Sequence, residues 1–561
     1  MAGKSTQQKV LAGGIDLIRD PLLNKGTAFT RRERVDFGLE GLLPSAVLGM
    51  DLQAQRVYSS VHAKETPMEK YIGLMALQDR NEQLFYRVLV EHLKEFMPIV
   101  YTPTVAQATS NFSHVLRRAR GVWITPDFRG RIREVLQAAV RGRNIELIVA
   151  TDNESILGIG DQGAGGMAIS IGKLALYTAG AGIHPSGTLP VSLDVGTNNE
   201  RLLADDLYVG WREPRLRGGD YDSLIEEFVT ACRELFPGVL IQWEDFRKDN
   251  ALNILERYRF DFPSFNDDIQ GTGAVALAGL MSAMRITGQS LADQRIVIFG
   301  AGAAGLGIAR QIRAGLAATQ GEQGGPPMLG VLDSRGLLVD DREIRDSYKR
   351  ELAWDVEGAR HYGFPEDGAR DLAAVVEHFR PTVLIGSSGQ AGAFSEPIVR
   401  KIAGYCERPV VLPFSNPDSL AEAKPEDLYR WTDGRVLVAT GSPFAPVEFG
   451  GKKYRIGQGN NVFIFPGLGL GTLLCGAGRI SNAMITAAAQ ALAHQVNDAE
   501  VSAGMLFPGI DRLREVTVAV TRSVIQQACA EGAADGSSDR DVDALIADAM
   551  WWPEYRDYRR V

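Results

Sequence analysis

Apolar residues recur at helical spacing in the first part of the chain. Between Glu69 and Phe96 they keep the spacing of a helix that buries one face: Ile72, Leu74, Met75, Leu77, Leu84, Phe85, Val88, Leu89 and Leu93. Proline has no backbone N–H to offer in a helix interior, so Pro98 is expected to end this run. The pattern predicts a helical N-terminal region.

Beyond Arg120 the pattern changes to short apolar runs that alternate with helical segments. Each run has the length of a buried strand and leads into a turn. The alternation predicts an α/β fold with parallel sheets. In such sheets ligands bind beyond the carboxyl ends of the strands, so functional residues are expected in the turns that follow. The runs cover residues 144–150, 189–195, 239–243, 295–299, 328–333, 383–386, 409–412 and 435–439.

The run at 295–299 leads into a glycine pattern, Gly-x-Gly-x-x-Gly, formed by Gly300, Gly302 and Gly305 at the start of an amphipathic segment. Such a turn lets the N–H groups of a helix N-terminus approach a pyrophosphate, which predicts a Rossmann-type dinucleotide-binding domain. The alternative is a glycine turn that only packs a helix against a strand. Asp333 ends the next strand, where an acid is expected to bind a ribose hydroxyl.

Acidic side chains follow two predicted elements. Glu244 and Asp245 come directly after the run at 239–243, and Asp268 opens an apolar helix. Carboxylate oxygens are the ligands that Mg²⁺ and Mn²⁺ prefer, whereas the seven histidines include no His-x-x-x-His pair for zinc. The sequence therefore predicts a site for a hard divalent cation. The alternative is that Asp267 or Asp268 only caps the helix.

Two further polar residues stand in apolar surroundings. Lys173 lies in an apolar helix after a glycine-rich passage, and it is either a surface lysine that extends to solvent or a general base. Burial lowers the pKa of a lysine and makes it a proton acceptor. Tyr101 follows Pro98 and is either an anchoring aromatic residue or a general acid. The residues alone leave both alternatives open.

Composition restricts the class of protein. A chain of 561 residues is too long for one core, so several domains are expected. The net charge of −9 and the lack of a basic cluster argue against nucleic-acid binding. The four cysteines are isolated in sequence, which fits a reducing cytosol. The chain has no apolar run of membrane-spanning length and no signal peptide at its start, so a cytoplasmic protein without membrane contact is expected.

Together these motifs resemble those of the malic enzymes. The matching strings lie between residues 20 and 553, nearly the whole chain, and such a set is more specific than any single glycine motif. They are Ile99-Val-Tyr-Thr-Pro-Thr, Ile156-Leu-Gly-Ile-Gly-Asp-Gln-Gly, Gly172-Lys-Leu-Ala-Leu-Tyr-Thr, Asp194-Val-Gly-Thr-Asn-Asn, Trp243-Glu-Asp-Phe, Phe265-Asn-Asp-Asp-Ile-Gln-Gly-Thr, Ser415-Asn-Pro and Gln458-Gly-Asn-Asn-Val-Phe.

The resemblance implies oxidative decarboxylation of L-malate to pyruvate and carbon dioxide, with reduction of NAD and a requirement for Mn²⁺ or Mg²⁺. Asp333 favours NAD, whereas Arg335 with Lys349 or Arg350 leaves NADP open. The site residues that the resemblance implies are Glu244, Asp245 and Asp268 as metal ligands, Lys173 as general base, Tyr101 as general acid, Ser155, Asn416, Asn460 and Asn461 toward the substrate, and Gly300, Gly302, Gly305, Asp333 and Asn416 toward the cofactor.

One position departs from the malic-enzyme pattern. Malic enzymes commonly carry Glu-Arg before Ile-Leu-Gly, but this chain has Glu154-Ser155, so the guanidinium that would hold a substrate carboxylate is missing. The related malolactic enzymes convert malate to lactate and carbon dioxide with bound NAD and no net redox change. They are similar to this chain in a small residue at position 155, whereas Tyr101-Thr-Pro and Gly210-Trp-Arg-Glu-Pro-Arg resemble malic enzymes. The malic-enzyme reaction is the expectation and the malolactic reaction the alternative.

The resemblance also implies an architecture. A helical N-terminal domain at 1–119 precedes a central α/β domain at 120–266, which resumes at 456–536. A Rossmann-type NAD-binding domain at 267–455 interrupts it, and a C-terminal extension follows at 537–561. Because members of the family assemble from identical subunits, a homodimer or homotetramer is expected.

Overall fold

A computed structural model describes residues 7–320, 328–366, 368–534 and 541–561. The chain forms two compact units. The first unit contains Met1–Asn153, Asp161–Val239 and Ala547–Val561, and the second contains Glu154–Gly160 and Leu240–Ile546. Over the described ranges, every helix is too short or too polar to cross a membrane.

The strands of the described residues are short, as expected for buried parallel sheets. In chain order they are β1 (Gln7–Val10), β2 (Val122–Ile124), β3 (Leu147–Thr151), β4 (Thr188–Leu193), β5 (Leu240–Trp243), β6 (Ser264–Asn266), β7 (Ile296–Phe299), β8 (Leu329–Asp333), β9 (Gly336–Leu337), β10 (Val383–Gly386), β11 (Val410–Pro413), β12 (Leu437–Thr440), β13 (Val447–Phe449), β14 (Lys452–Tyr454), β15 (Gly457–Gln458) and β16 (Asp557–Arg560).

The α-helices of the same residues fill most of the chain between these strands. They are α1 (Gly14–Arg19), α2 (Arg31–Asp36), α3 (Met50–His62), α4 (Pro67–Gln78), α5 (Glu82–Glu91), α6 (Leu93–Val100), α7 (Thr104–Ser110), α8 (Phe112–Val115), α9 (Ile132–Val140), α10 (Met167–Ala181), α11 (Glu200–Leu203), α12 (Gly218–Leu235), α13 (Lys248–Tyr258), α14 (Thr272–Thr287), α15 (Ala303–Gln320), α16 (Ser347–Arg350), α17 (Val356–His361), α18 (Leu372–His378), α19 (Glu396–Tyr405), α20 (Pro425–Trp431), α21 (Phe465–Leu474), α22 (Asn482–His494), α23 (Asp498–Ser502), α24 (Leu513–Ala530) and α25 (Val542–Ala549).

The N-terminal region is helical, as the apolar spacing predicts, but Pro98 does not end the run. Pro98 lies inside α6, which continues to Val100, and the N–H of Tyr101 still donates to the carbonyl of Met97 (2.9 Å). A proline near a helix C-terminus removes only one donor, and the remaining turn closes without it. The earlier break comes before α5, where the side chain of Asn81 accepts the N–H of Leu84 and caps the helix.

The first unit contains a small parallel sheet with β4 between β2 and β3. All residues of β3 and β4 are buried, because helix α10 packs against both strands. The chain ends meet in a separate parallel pair, β1 with β16. Next to this pair, Lys25 forms a buried ion pair with Glu33 (2.7 Å).

The second unit is built on a seven-stranded sheet in the order β15-β12-β11-β10-β7-β8-β9. Its neighbouring strands are parallel except for β8 and β9, which form an antiparallel turn at one edge. The central strands are buried on both faces, which explains why they appear in the sequence as continuous apolar runs. A second parallel pair, β5 with β6, belongs to the same unit.

The eight predicted strands are present in this α/β fold, each within a few residues of its expected limits. They are β3, β4, β5, β7, β8, β10, β11 and β12. The parallel pairing that the alternation predicts is confirmed for them.

Candidate active site

Three carboxylates meet in the second unit. Glu244 and Asp245 follow β5, and Asp268 lies in a π-helical turn (267–271) that follows β6. Because β5 and β6 are parallel and Trp243 pairs with Asn266, the ends of both strands lie side by side. One carboxylate oxygen from each acid lies within 4.8 Å of the other two. The sequence-predicted cluster is therefore assembled by the fold.

The backbone around the cluster holds the acids in place. The N–H of Asp245 donates to Asp268 Oδ2 (2.7 Å), and Asp245 Oδ1 accepts the N–H of Leu157 (3.2 Å). Glu244 Oε2 accepts Gln242 Nε2 (2.7 Å). Glu244 and Asp245 are buried, and Asp268 is partly exposed. Three converging carboxylates supply hard oxygen donors, so the residues present fit Mg²⁺ or Mn²⁺.

The helix-capping alternative for the acids is wrong. Asn266, one position earlier, is the N-cap, and its side-chain oxygen accepts the N–H of Ile269 (3.0 Å). The carboxylate of Asp268 instead points to the backbone of Asp245. Asparagine caps a helix as well as aspartate does, so the turn does not need Asp267 or Asp268 as its cap.

Ser155 and Asn416 lie near the cluster along the chain segment 154–160, which belongs to the second unit. The N–H of Ser155 donates to the carbonyl of Asp245 (3.0 Å), so position 155 touches the backbone of a cluster residue. A Cβ on Gly158 would lie 3.2 Å from the carbonyl oxygen of Asn416, which places Asn416 against the same segment. Asn416 Oδ1 accepts the hydroxyl of Ser442 (2.5 Å).

The two neighbouring asparagines differ in their surroundings. Asn461 Nδ2 donates to Asp267 Oδ2 (3.0 Å) and to Thr272 Oγ1 (3.0 Å), and so holds the turn that carries Asp268. Asn460 caps the following turn, since its side-chain oxygen accepts the N–H of Val462 (3.0 Å). The structure therefore brings Asn461 to the acid-bearing turn and gives Asn460 a capping contact.

Lys173 and Tyr101 lie together in the first unit. Lys173 is 2% exposed in the middle of α10, so the surface-lysine interpretation is wrong. Its Nζ lies 5.2 Å from the centre of the Tyr101 ring, and Tyr101 is buried at the end of α6. Gly172 allows this approach, because a Cβ there would lie 2.9 Å from the carbonyl oxygen of Val100. A buried amine against a buried phenol suits proton transfer.

The glycine pattern forms a tight turn between β7 and α15. Gly300 has φ +123°, and a Cβ on it would overlap the backbone of Ser387. A Cβ on Gly305 would overlap the carbonyl oxygen of Gly300, so this glycine packs the helix onto the strand. A Cβ on Gly302 would meet nothing within 4 Å. That open side is where a pyrophosphate approaches the backbone in a dinucleotide-binding turn.

Asp333 ends β8, next to the glycine turn, and is held by cations. Its Oδ1 accepts Arg342 Nη2 (2.8 Å) and the N–H of Arg335 (2.9 Å), and Lys349 Nζ lies 3.3 Å from Oδ2. Burial acts to raise the pKa of Asp333, but Arg342, this backbone N–H and Lys349 hold it below its ordinary value. The carboxylate therefore stays charged at neutral pH.

Of the three cations expected near Asp333, only Lys349 brings its side chain to the carboxylate. The guanidinium of Arg335 donates to the carbonyl of Glu343 (3.0 Å), and that of Arg350 donates to the carbonyl of Ile344 (2.6 Å). The contact of Arg342 with Asp333 is not predictable from the sequence pattern, because Arg342 lies beyond β9 and reaches back to the end of β8.

A buried ionic network in the first unit was also missed. Arg215 donates twice to Asp161 (2.8 and 2.7 Å) and once to the carbonyl of Asp152 (2.7 Å), and Tyr221 donates to the carboxylate of Asp152 (2.7 Å). Burial acts to raise the pKa of Asp161, but Arg215 holds it below its ordinary value. The signal available in the sequence was Asp161 itself, within the glycine-rich string Ile-Gly-Asp-Gln-Gly.

Family sequence profiles match most of the chain. The profile described as "Malic enzyme, N-terminal domain" matches residues 78–259, and "Malic enzyme, NAD binding domain" matches residues 269–529. Among curated proteins, the chain is 48% identical to the NAD-dependent malic enzyme of Sodalis glossinidius, covering 97% of this chain and 96% of the relative. It is 47% identical to NAD-dependent malic enzyme 3 of Bacillus subtilis, covering 98% and 97%.

Solved structures share the fold. The malic enzyme of Entamoeba histolytica matches with a TM-score of 0.57 at 23% identity, covering 91% of this chain and 90% of that one. The enzyme of Pyrococcus horikoshii matches with a TM-score of 0.54 at 23% identity, covering 81% and 88%. At these identities the likeness establishes the fold alone.

Proposed function

The chain belongs to the malic enzyme family, and from that premise we propose that it oxidatively decarboxylates L-malate to pyruvate and carbon dioxide with NAD as the hydride acceptor. The observation that carries the proposal is the convergence of Glu244, Asp245 and Asp268 within 4.8 Å, in a chain nearly half identical over its length to NAD-dependent malic enzymes. The resemblance found in the sequence points to the same reaction.

We propose that the three acids hold Mg²⁺ or Mn²⁺. When bound there, such an ion supplies a Lewis acid toward the malate hydroxyl and carboxylate and toward the enolate charge that decarboxylation creates. Ser155, Asn416, Asn460 and Asn461 are proposed as substrate contacts. Ser155 bonds to the backbone of Asp245, and Asn461 holds the turn of Asp268.

Lys173 and Tyr101 are proposed as the proton-transfer pair. Lys173 takes the proton of the malate hydroxyl during oxidation, and Tyr101 gives a proton to the enol carbon after carbon dioxide leaves. Burial of both side chains supports these roles, because excluded water cannot compete as a proton donor.

The cofactor is NAD, and we propose that Asp333 contacts its ribose while Gly300, Gly302 and Gly305 approach the pyrophosphate. Arg342 and Lys349 lie against Asp333, so a 2′-phosphate would find cations in place, and NADP is a weaker alternative cofactor. We further propose a cytoplasmic homodimer or homotetramer. The cysteines of the described residues form no disulfide, which supports the reducing compartment, and the family supports the assembly.

Product analysis tests the proposed function. The purified enzyme is incubated with L-malate, Mn²⁺ and excess NAD, and in a parallel reaction with NADP. We expect pyruvate and NADH to form in equal amounts, with a lower kcat/KM for NADP. Lactate without net NADH would overturn the proposal and identify the malolactic reaction instead.

A further inference from the structure

The first unit contains a polar cavity of about 380 Å³ that Lys173 and Tyr101 do not line. Its walls come from the ends of α4 and α9, the start of α5, the loop before β2, and residues of α10 and β4. The volume is within the range of small-molecule sites. Four arginines and three acids line it: Arg118, Arg120, Arg141, Arg143, Asp20, Asp79 and Glu82.

Only one of the four arginines is neutralised by the acids. Arg120 donates to Glu82 (2.9 Å) and lies 3.7 Å from Asp79. Burial alone would lower the pKa of Arg120, but Glu82 holds it above its ordinary value. Both members of the pair line the cavity, as do the other three arginines.

The other three arginines have no carboxylate at ion-pair distance among the described residues. Arg118 donates to the carbonyl of Asp79 (2.6 Å). Arg143 makes only long contacts with the carbonyls of Val140 (3.3 Å) and Ser186 (3.4 Å). Arg141 has φ +50° at the end of α9, and this left-handed backbone conformation is costly for a side chain other than glycine. With four arginines and three acids, the lining carries a net excess of one positive charge.

Several polar groups that line the cavity are shielded from solvent, which favours a bound ligand. Burial lowers the pKa of Arg143 and raises that of Asp79 in spite of Arg120 and Arg118. Two shielded polar atoms, Gln78 Oε1 and Arg120 Nε, have no hydrogen-bond partner within the described part of the chain. Buried polar atoms without partners are rare and costly, so an occupant that bonds to them would stabilise the folded unit.

We propose that this cavity binds a small anion carrying at least two negative charges, held by the guanidinium groups of Arg118, Arg141 and Arg143. Phosphate and polycarboxylate groups share the required chemistry, because both accept several charge-assisted hydrogen bonds from guanidinium. The inference rests on the cavity and its charges and does not depend on the proposed reaction.

Calorimetric titration tests the site. Inorganic phosphate and citrate are titrated separately into the full-length protein in metal-free buffer of low ionic strength. Saturating NAD keeps the probes away from the glycine turn. We expect saturable binding of at least one probe, and the tighter probe distinguishes phosphate from carboxylate chemistry. Arg118→Gln and Arg143→Gln should each weaken binding about tenfold or more, the loss expected for a charged hydrogen bond.

Arg133→Gln is the matched control, because Arg133 lies on the exposed face of α9 and does not line the cavity. It should bind the probe as the wild type does. If Arg143→Gln fails to fold by circular dichroism, the exposed Arg141→Gln variant replaces it. Absence of saturable binding for both probes overturns the proposal. Equal affinity in the wild type and the arginine variants also overturns it.

Discussion

At the scale of single residues, the carboxylates of the cluster are positioned by the backbone. Asp245 has φ +58°, a left-handed conformation that costs roughly 1 kcal/mol or more outside glycine. Its own N–H bonds to Asp268 and its carboxylate accepts Leu157, so the neighbouring chain segments stabilise this conformation. Strain of this kind concentrates where geometry serves a site.

The roles of Lys173 and Tyr101 predict different defects in the two half-reactions. Lys173→Ala should lower NADH formation from malate by roughly 10² to 10⁴, because the hydroxyl proton has no acceptor. Tyr101→Phe should slow conversion of added oxaloacetate to pyruvate more than it slows hydride transfer. Steady-state rates of both half-reactions measure this. Near-wild-type rates in both variants would remove the pair from the mechanism.

Replacing Ser155 by the arginine that is common in the family should strengthen the binding of malate. The N–H of Ser155 donates to the carbonyl of Asp245, so the backbone of residue 155 lies next to the proposed substrate site. Ser155→Arg should lower the KM for malate about tenfold or more, since a charged hydrogen bond contributes ~1.5 to 3 kcal/mol. Ser155→Gln, similar in length but uncharged, is the control. An unchanged kcat/KM and product ratio would place residue 155 outside the substrate contacts.

Sequence patterns predicted the acids that the fold brings together, but not the residues that hold them in place. Glu244, Asp245 and Asp268 were predicted because acids at strand ends are informative by themselves. The capping role of Asn266 and the contact of Arg342 with Asp333 were not predicted. Both depend on tight turns whose geometry has no period in the sequence.

At the scale of elements, the strands that were predicted are those buried on both faces. β10 and β11 are continuous apolar runs, and the fold confirms them. Three-residue β2 and β6 and two-residue β9 were missed, because so few positions carry no periodic signal. Pro98 was misjudged because a proline in the last turn of a helix costs little hydrogen bonding.

Asp194, which directly follows β4, should make the stability of the protein depend on pH. Burial raises the pKa of Asp194 to about 6, and its Oδ1 has no hydrogen-bond partner in the described structure. A raised acid pKa means that the folded state holds the proton more tightly than the unfolded state. The stabilisation from this proton is present below the unfolded pKa near 4 and is lost as pH rises through about 6.

Asp194→Asn should therefore change the free energy of unfolding more favourably at pH 8 than at pH 4. The difference between the two changes should be on the order of 2–3 kcal/mol. Asparagine keeps an acceptor for the N–H of Trp211 (2.8 Å in the wild type) and carries no charge. Urea unfolding at the two pH values measures the difference. Asp222→Asn, at an exposed position of α12, should show no such dependence. Equal effects of Asp194→Asn at both pH values would contradict the burial account.

At the scale of the whole molecule, each of the two units is built from segments that are distant in sequence. β1 pairs with β16, and the segment 154–160 belongs to the unit that otherwise starts at Leu240. Neither feature has a local sequence signal, because contacts between distant segments leave no periodic pattern in the sequence. The five-part domain division inferred from the family therefore stays a prediction.

We expect Glu244, Asp245 and Asp268 to bind the divalent ion on which malate oxidation depends. Mn²⁺ binding and malate-dependent NADH formation are measured together in the wild type, in Asp268→Asn and in the control Asp249→Asn, an exposed acid of α13. Chelator should abolish wild-type turnover, and Mn²⁺ should restore it. Asp268→Asn should lose both Mn²⁺ affinity and turnover, whereas Asp249→Asn should behave as the wild type. Full NADH formation by Asp268→Asn in the presence of chelator would contradict a metal-binding role for these acids.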